Sequence, residues 1–315
     1  MRKEARALAA FAAIWAVIPV QAVAQQWPDK SVRILVPYPP GGGTDIQARL
    51  LSVAFQKSMG QNFIVDNRTG ASGLIGTQLA VESPPDGNTI LFASGIISVV
   101  VTLYAKRIKF NVHNDLAPVS WISSTPLVLS LHPSVPAKSV KELVALAKRT
   151  PGGMNAAGNA AGTTAHLTAE MLNQVTGIKS TVLTYRGGGP SVLALISGEA
   201  DYLFATAPSI MPHLRSGKAK GLAVTTPKRS SALPDLPTMN SIYPGFESDN
   251  WYAMFYPKGT PRPIVDKLNA EIRKALDTPE IRAFMPNEAL DPVASSPEEL
   301  SALLTREIAK YAKVI

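Results

Sequence analysis

An α/β fold of two compact domains is what this sequence predicts, on three observations. Apolar strand-like runs alternate with helical patterns, the ordering that builds largely parallel sheets covered by helices. A strand–glycine loop–helix arrangement recurs three times, at Val32–Asp45, around Gly158–Thr164 and at Thr181–Pro190. Two long apolar segments punctuated by serine and proline, Val119–His132 and Tyr243–Tyr256, have the length to cross between domains. At 315 residues and 46% hydrophobic, the chain is large enough to bury two cores.

In chain order, residues 1–24 read as a leader rather than as part of the fold. Arg2, Lys3 and Arg6 form a basic start, Ala7 to Val20 is apolar, and Ala22-Val23-Ala24 is an A-x-A cleavage site. The alternative is a membrane anchor, but the run is short for a bilayer span and lacks charge on its far side. Strand candidates follow at Val32–Val36, Phe63–Val65, Thr89–Phe92, Leu127–Leu131, Thr181–Leu183, Tyr202–Ala205, Leu222–Thr225 and Tyr252–Phe255. Between them, Ile46, Leu50, Val53 and Ala54 mark one face of a helix after the first loop. Ser139-Val140-Lys141-Glu142 is a capping box, continued by Leu143, Val144 and Ala147 until Pro151-Gly152-Gly153. Leu167, Met171, Leu172 and Val175 line another helix stopped by Gly177, and Ser296-Pro297-Glu298-Glu299 opens a C-terminal one. If the two apolar segments are crossovers, the first domain comprises residues 25–123 plus 250–315 and the second 124–249. Ligands of such two-lobed folds sit between the lobes and close the hinge.

The three glycine loops point to a small anion. Glycine lets a ligand approach the backbone, and the helix start behind it offers unpaired N–H groups and a partial positive charge. None of the loops carries the lysine of a nucleotide-binding loop, and Gly41-Gly42-Gly43 is not a dinucleotide fingerprint. In the first loop, Thr44 or Asp45 is the expected N-cap. Asp45 is a structural cap before it is a ligand contact, because its charge would repel a carboxylate unless spent on backbone N–H groups. Tyr38 either roofs the site or packs. In the second loop, Thr163 and Thr164 are competent caps and competent hydroxyl donors, and His166 reads as a structural partner before a base. In the third, Arg186 either pairs with a carboxylate or holds the loop from outside. Ser94 ends a strand and is a further candidate to face the cleft.

Composition excludes other classes. The chain has no cysteine, so disulfides, thiolate metal sites, cysteine nucleophiles and an N-terminal lipid anchor are out. The net charge is +8, and the leader holds three basic residues and one acidic one, which leaves +6 without it. The charges are scattered, so a nucleic-acid surface is not expected, although a mild positive field favours anions. His113, His132 and His213 show no metal spacing, and there is no G-x-S-x-G or S-x-x-K motif. The expectation is an exported, soluble, lipid-free periplasmic protein without cofactor or metal, not an enzyme, with a monomer as default.

The motifs also carry a family resemblance. Val36-Pro37-Tyr38-Pro39-Pro40-Gly41-Gly42-Gly43-Thr44-Asp45 resembles the opening signature of the Bug (TctC-like) family, the extracytoplasmic receptors of tripartite tricarboxylate transporters. Asp66–Gly76, Gly162–Leu167, Tyr185-Arg186-Gly187 and Asn250-Trp251-Tyr252 resemble it too, in order and over essentially the whole chain after the leader. The resemblance implies a two-domain periplasmic binding protein fold, type II-like, with its ligand cleft between the lobes. It implies a small carboxylate as ligand and the transporter's integral membrane subunits as partners. Carried over by position, it places Tyr38, Gly42, Gly43 and Asp45 at the site from the first domain. From the second it places Gly162, Thr163, Thr164, His166, Tyr185, Arg186 and Gly187. This sequence departs from the family at Gly158, where many members have serine, and at Thr184, where proline commonly stands. Ile96-Ile97-Ser98-Val99-Val100 is more apolar than usual, which would suit an apolar or aromatic part of a ligand if that run lines the pocket. Two alternatives remain open: a sensor docking on a kinase's periplasmic domain, and a hydrolase on a related scaffold.

Overall fold

The computed structural model describes residues 27–312, so the expected leader lies outside the described residues. The first lobe opens with β1 (Val32–Val36), α1 (Gly43–Met59), β2 (Phe63–Asn67), α2 (Leu74–Val81), β3 (Thr89–Ser94), α3 (Ile96–Leu103) and the short α4 (Val112–Asp115). The chain then crosses on β4 (Leu116–Leu131) into α5 (Val140–Arg149), β5 (Asn155–Gly158), α6 (Thr164–Thr176) and β6 (Thr181–Thr184). That lobe ends with α7 (Gly188–Ile196), β7 (Tyr202–Thr206), α8 (Ala207–Arg215), β8 (Lys220–Val224) and α9 (Met239–Ile242). The return runs through β9 (Asp249–Pro257), α10 (Arg262–Leu276), α11 (Pro279–Asn287), β10 (Asp291–Pro292) and α12 (Pro297–Tyr311).

The strands form one curled sheet in the order β2-β1-β3-β9-β4-β7-β5-β6, with β8 and β10 also paired to β4. Pairing is parallel in the two wings, β2-β1-β3 and β7-β5-β6. It is antiparallel in the centre, where β9 and β4 run between the lobes in opposite directions. The expected largely parallel sheet is therefore right for the wings and wrong for the middle, because the chain leaves and re-enters the first lobe side by side.

β4 is the structural pivot. Leu116–Pro126 pair with β9, whereas Leu127–Leu131 pair with β7 and, through a bulge, with β8. Three of its hydroxyls are buried and find acceptors far along the chain. Ser120 donates to the Ser295 carbonyl at 2.9 Å, Ser123 to Gln47 Oε1 at 2.6 Å and Thr125 to the Ala289 carbonyl at 3.0 Å.

Helices cover both faces of each wing. In the first lobe, α1 and α10 bury Leu51, Phe55, Leu268 and Ile272 on one face, while α3 and α12 bury Ile97, Leu300 and Leu304 on the other. In the second, α5 and α6 bury Leu143 and Leu172, and opposite them α7 and α8 bury Leu195 and Ile210. The helix ends follow local chemistry. Ser296 and Glu299 close a reciprocal capping box on α12. Ser139 caps α5 by accepting from the Glu142 N–H, but the Glu142 carboxylate reaches the Lys138 N–H instead of completing the box. Gly177 ends α6 in the left-handed conformation.

Candidate functional site

The glycine loops come together in one cavity of about 390 Å³ between the lobes. That volume suits a small organic molecule. The first loop contributes Tyr38, Pro39, Gly42, Gly43 and Thr44, the second Asn159, Ala160 and Thr163, and the third Arg186, Gly187 and Gly188. Thr69–Gly73, at the lip of the first lobe, and Ser94, Ile96, Thr206, Asn250 and Tyr252 complete the wall.

Five helices begin at this wall. Gly43 opens α1, Ile96 opens α3 and Gly188 opens α7, while Thr163 and Thr206 are the N-caps of α6 and α8. The first N–H groups of a helix have no intrahelical acceptor, and each start carries roughly half a positive charge. Among the described lining residues there is no aspartate or glutamate, and Arg186 is the one formal charge. The cavity is thus positive almost wholly through backbone.

Neutral donors supplement it. Burial raises Tyr252 to about 12, with the Tyr38 phenol adding to the rise and Thr206 and Asn250 offsetting part of it. Burial likewise raises Tyr38 to about 12, partly offset by the side chain and backbone of Ser94. Both phenols hold their protons at neutral pH, so both are donors toward an anion. The Tyr252 hydroxyl, Ser94 Oγ and Asn250 Oδ1 are shielded from solvent, yet none has a protein partner with hydrogen-bond geometry. Buried polar atoms left in that state are costly, and a polar guest would relieve them.

Two glycines set the close approaches. A Cβ on Gly43 would lie 2.1 Å from the Tyr252 hydroxyl oxygen and 3.0 Å from Thr206 Oγ1. Only glycine lets α1 begin against that ring. Gly187 has φ +134°, and a Cβ there would meet Pro39 Cδ of the opposite lobe at 2.6 Å. The lobes therefore come together through glycine backbone and the Pro39 ring. Ser72 adds a direct bond across the cleft, its Oγ donating to the Ala161 carbonyl at 3.0 Å.

Seven of the twelve expected residues are in the wall: Tyr38, Gly42, Gly43, Ser94, Thr163, Arg186 and Gly187. The other five stand behind it. Neither Thr44 nor Asp45 caps α1, because the helix begins two residues earlier than expected, with Gly42 as N-cap. Asp45 sits in the first turn with its carboxylate taken by the Gly41 N–H, the Asn67 amide and Arg49, at 2.9–3.0 Å. Burial opposes its ionisation, but these partners prevail and hold it below the usual aspartate value. Its charge is spent inside the loop, so it does not repel an anion in the cavity. Gly162 gives its N–H to His166 Nδ1 at 3.4 Å, which turns the imidazole into the loop's own support. Thr164 is buried at the start of α6, leaving the wall to its neighbour Thr163. Tyr185 packs on the core beside α7, with its hydroxyl toward Glu199; burial and that carboxylate raise it to about 12.

Arg186 lies in the wall, is exposed, and makes no hydrogen bond or ion pair among the described residues. Gly158 is no lost hydroxyl donor, because a Cβ there would point at Val182 Cγ1, 2.6 Å away, rather than into the cavity. Of the apolar run after Ser94, only Ile96 lines the wall, and Ile97, Val99 and Val100 are core. Sequence reasoning missed Thr206, Asn250 and Tyr252. Thr206 had a signal, a threonine before Ala-Pro at a helix start. Asn250 and Tyr252 alternate with Trp251 on a strand and share one face.

Comparison with known proteins identifies the family and the fold. The profile described as "Tripartite tricarboxylate transporter family receptor" matches residues 47–315. The chain belongs to this receptor family. Protein BugT of Bordetella pertussis is 35% identical over 294 residues, covering 93% of this chain and 90% of BugT. Among solved structures, the periplasmic binding protein BugD superposes with a TM-score of 0.87 at 30% identity, over 91% of this receptor and 97% of BugD. An R. palustris protein solved with adipate gives 0.88 at 32% identity, with the same two coverages. Members of the family are solute-binding proteins of this two-lobed α/β fold.

Proposed function

We propose that this receptor captures a small organic carboxylate in the periplasm by closing two lobes, residues 25–123 plus 250–315 and residues 124–249, and delivers it to a tripartite tricarboxylate-type membrane transporter. The observation that carries the reading is the convergence of five helix N-termini on a cavity without acidic lining. Loops from both lobes supply them, so the ligand has differential contacts with the closed state, which is what closure requires. Each helix start contributes roughly 0.3–2 kcal/mol. A micromolar ligand needs about 8 kcal/mol in all. The remainder falls to hydrogen bonds from Tyr252, Tyr38, Ser94 and Thr163 and to burial against Pro37, Ala71, Ile96 and Ala160.

With Arg186 as the single cation, the site favours a ligand with one firmly held carboxylate and a less polar remainder. The adipate held by the R. palustris relative supports an aliphatic acid as the first to try. The test is a thermal-shift panel of mono-, di- and tricarboxylates, amino acids and aromatic acids. A ligand at 100 times its Kd stabilises the folded state by about 2.7 kcal/mol. No rise in melting temperature across the panel rejects the reading.

A further inference from the structure

A second concavity, of about 860 Å³ and open to solvent, lies on the first lobe between α2 and the α3–α4 connection. Its floor is apolar: Leu74, Ile75, Leu79, Ile108 and Phe110 line it, and Ile75 is 57% exposed. Its rim is cationic. Arg68 is committed to Asp66 at 2.9 Å, but the Arg107 and Lys109 side chains have no hydrogen bond or ion pair among the described residues. The one acid in the lining, Glu82, is turned to the Gln78 amide at 2.5 Å.

This groove shares a wall with the ligand cavity. Thr69 and Ala71 line both. Between the two concavities stand Gly70, Ala71, Ser72 and Gly73, four consecutive residues with φ of +137°, +46°, +55° and +97°. Left-handed backbone at alanine and serine costs free energy unless its surroundings hold it. Within the lobe, the Gly73 and Ile75 N–H groups bond the Gly70 carbonyl at 3.0 and 3.4 Å, and the Ser72 bond to Ala161 adds a restraint from the opposite lobe. Opening the cleft removes that restraint and frees one wall of the groove.

We propose that this groove is the docking site for an acidic segment of the membrane-embedded transporter partner, a short stretch with carboxylate side chains beside an aliphatic or aromatic anchor. The anchor fills the apolar floor around Ile75, and the carboxylates meet Arg107 and Lys109. Because its wall is the latched lip, the groove presents its full shape in the closed form, so docking reads whether the receptor is loaded. A second copy of this chain is a poor occupant, since the net charge is +8, or +6 without residues 1–24. A flat anionic lipid surface reaches the rim charges but not the concave floor. The proposal rests on the transport reading above.

The experiment places a photo-crosslinking benzoylphenylalanine at Gln78 of the full-length protein in its host and identifies the adduct by mass spectrometry. The expected result is an adduct with an integral membrane protein, mapped to a segment containing aspartate or glutamate. In the Arg107→Glu/Lys109→Glu variant its yield should fall on the order of tenfold, the equivalent of about 1.4 kcal/mol. Ser72→Ala, which removes the bond across the cleft and no side chain of the groove lining, should lower the yield roughly two- to tenfold; an unchanged yield there overturns the link to closure. No adduct, an adduct with lipid, a soluble protein or a second copy, or a yield indifferent to charge reversal overturns the docking site. Acid-induced thermal shifts, measured on the same variants, show that they are folded. Shifts without an adduct remove the docking proposal and leave carboxylate capture standing. An adduct without any shift does the reverse.

Discussion

Gly43→Ala adds one methyl group at the point where α1 meets the cavity. The new carbon would sit 2.1 Å from the Tyr252 hydroxyl oxygen and 3.0 Å from Tyr252 Cζ. Tyr252 is 1% exposed and packs edge-on to Phe92 with ring centroids 6.5 Å apart, so the ring can give way only toward the cavity it lines. Overpacking of this kind costs about 1–3 kcal/mol. For a chain of this size that lowers the melting temperature by roughly 2–10 °C. The displaced ring also deforms the cavity wall, so affinity for the best acid of the panel should fall by about tenfold or more, some 1.4 kcal/mol. Two controls make the test specific. Gly42→Ala, one residue earlier, meets nothing closer than the Pro39 carbonyl at 3.7 Å and should keep near-native stability. Adding Tyr252→Phe to Gly43→Ala removes the closest atom and should recover part of the lost melting temperature, since Cζ and Thr206 Oγ1 remain 3.0 Å from the new carbon. Differential scanning calorimetry and isothermal titration read both quantities. A Gly43→Ala protein as stable and as tight as wild type, or a double variant no better than the single, refutes the packing argument.

Other substitutions separate the wall from its supports. Tyr185→Phe should leave ligand affinity unchanged by isothermal titration, because the hydroxyl faces Glu199; a loss beyond about fivefold, near 1 kcal/mol, puts that side chain back at the ligand. Arg186→Gln should weaken binding roughly two- to fivefold, as expected for an exposed ion pair, and flatten its salt dependence; an unchanged salt response contradicts pairing with the ligand. Asp45→Asn should destabilise the protein by about 1–3 kcal/mol at pH 7 through the loss of a charged acceptor. The Asp45 value is depressed in the folded state, so its contribution is full above the usual aspartate range and lost as pH falls through the depressed value. Urea titrations should therefore show the gap between wild type and Asp45→Asn shrinking from pH 7 toward strongly acidic pH, and a constant gap refutes the assignment.

Local patterns were legible and distant partners were not. Val32–Val36 reads as a strand because its apolar run needs no context, and Ser296–Glu299 reads as a cap because both halves of the motif lie within four residues. β4 was legible only at its apolar end. Its other half carries Ser120, Ser123 and Thr125, buried hydroxyls that look like turn residues until Ser295, Gln47 and Ala289 supply their acceptors from far along the chain. β5 escaped notice because Asn155-Ala156-Ala157-Gly158 has no bulky or β-branched residue, and its burial between β6 and β7 is tertiary. At the site, the glycines advertised themselves, since a helix start against a partner needs them. Tyr185 misled for the opposite reason. Its position beside Arg186-Gly187 is a fact of sequence, but past the end of β6 the Tyr185 side chain packs on the core while Arg186 takes the cavity side.

The central claim is that convergent helix starts hold a negative charge. The direct measurement is a calorimetric comparison of the strongest acid from the panel with its primary amide, the same shape without the charge. The account predicts that the acid binds and that the amide loses at least about 2 kcal/mol, the scale of hydrogen bonds to a charged group. An amide that binds as tightly as the acid would mean that the cavity recognises shape alone.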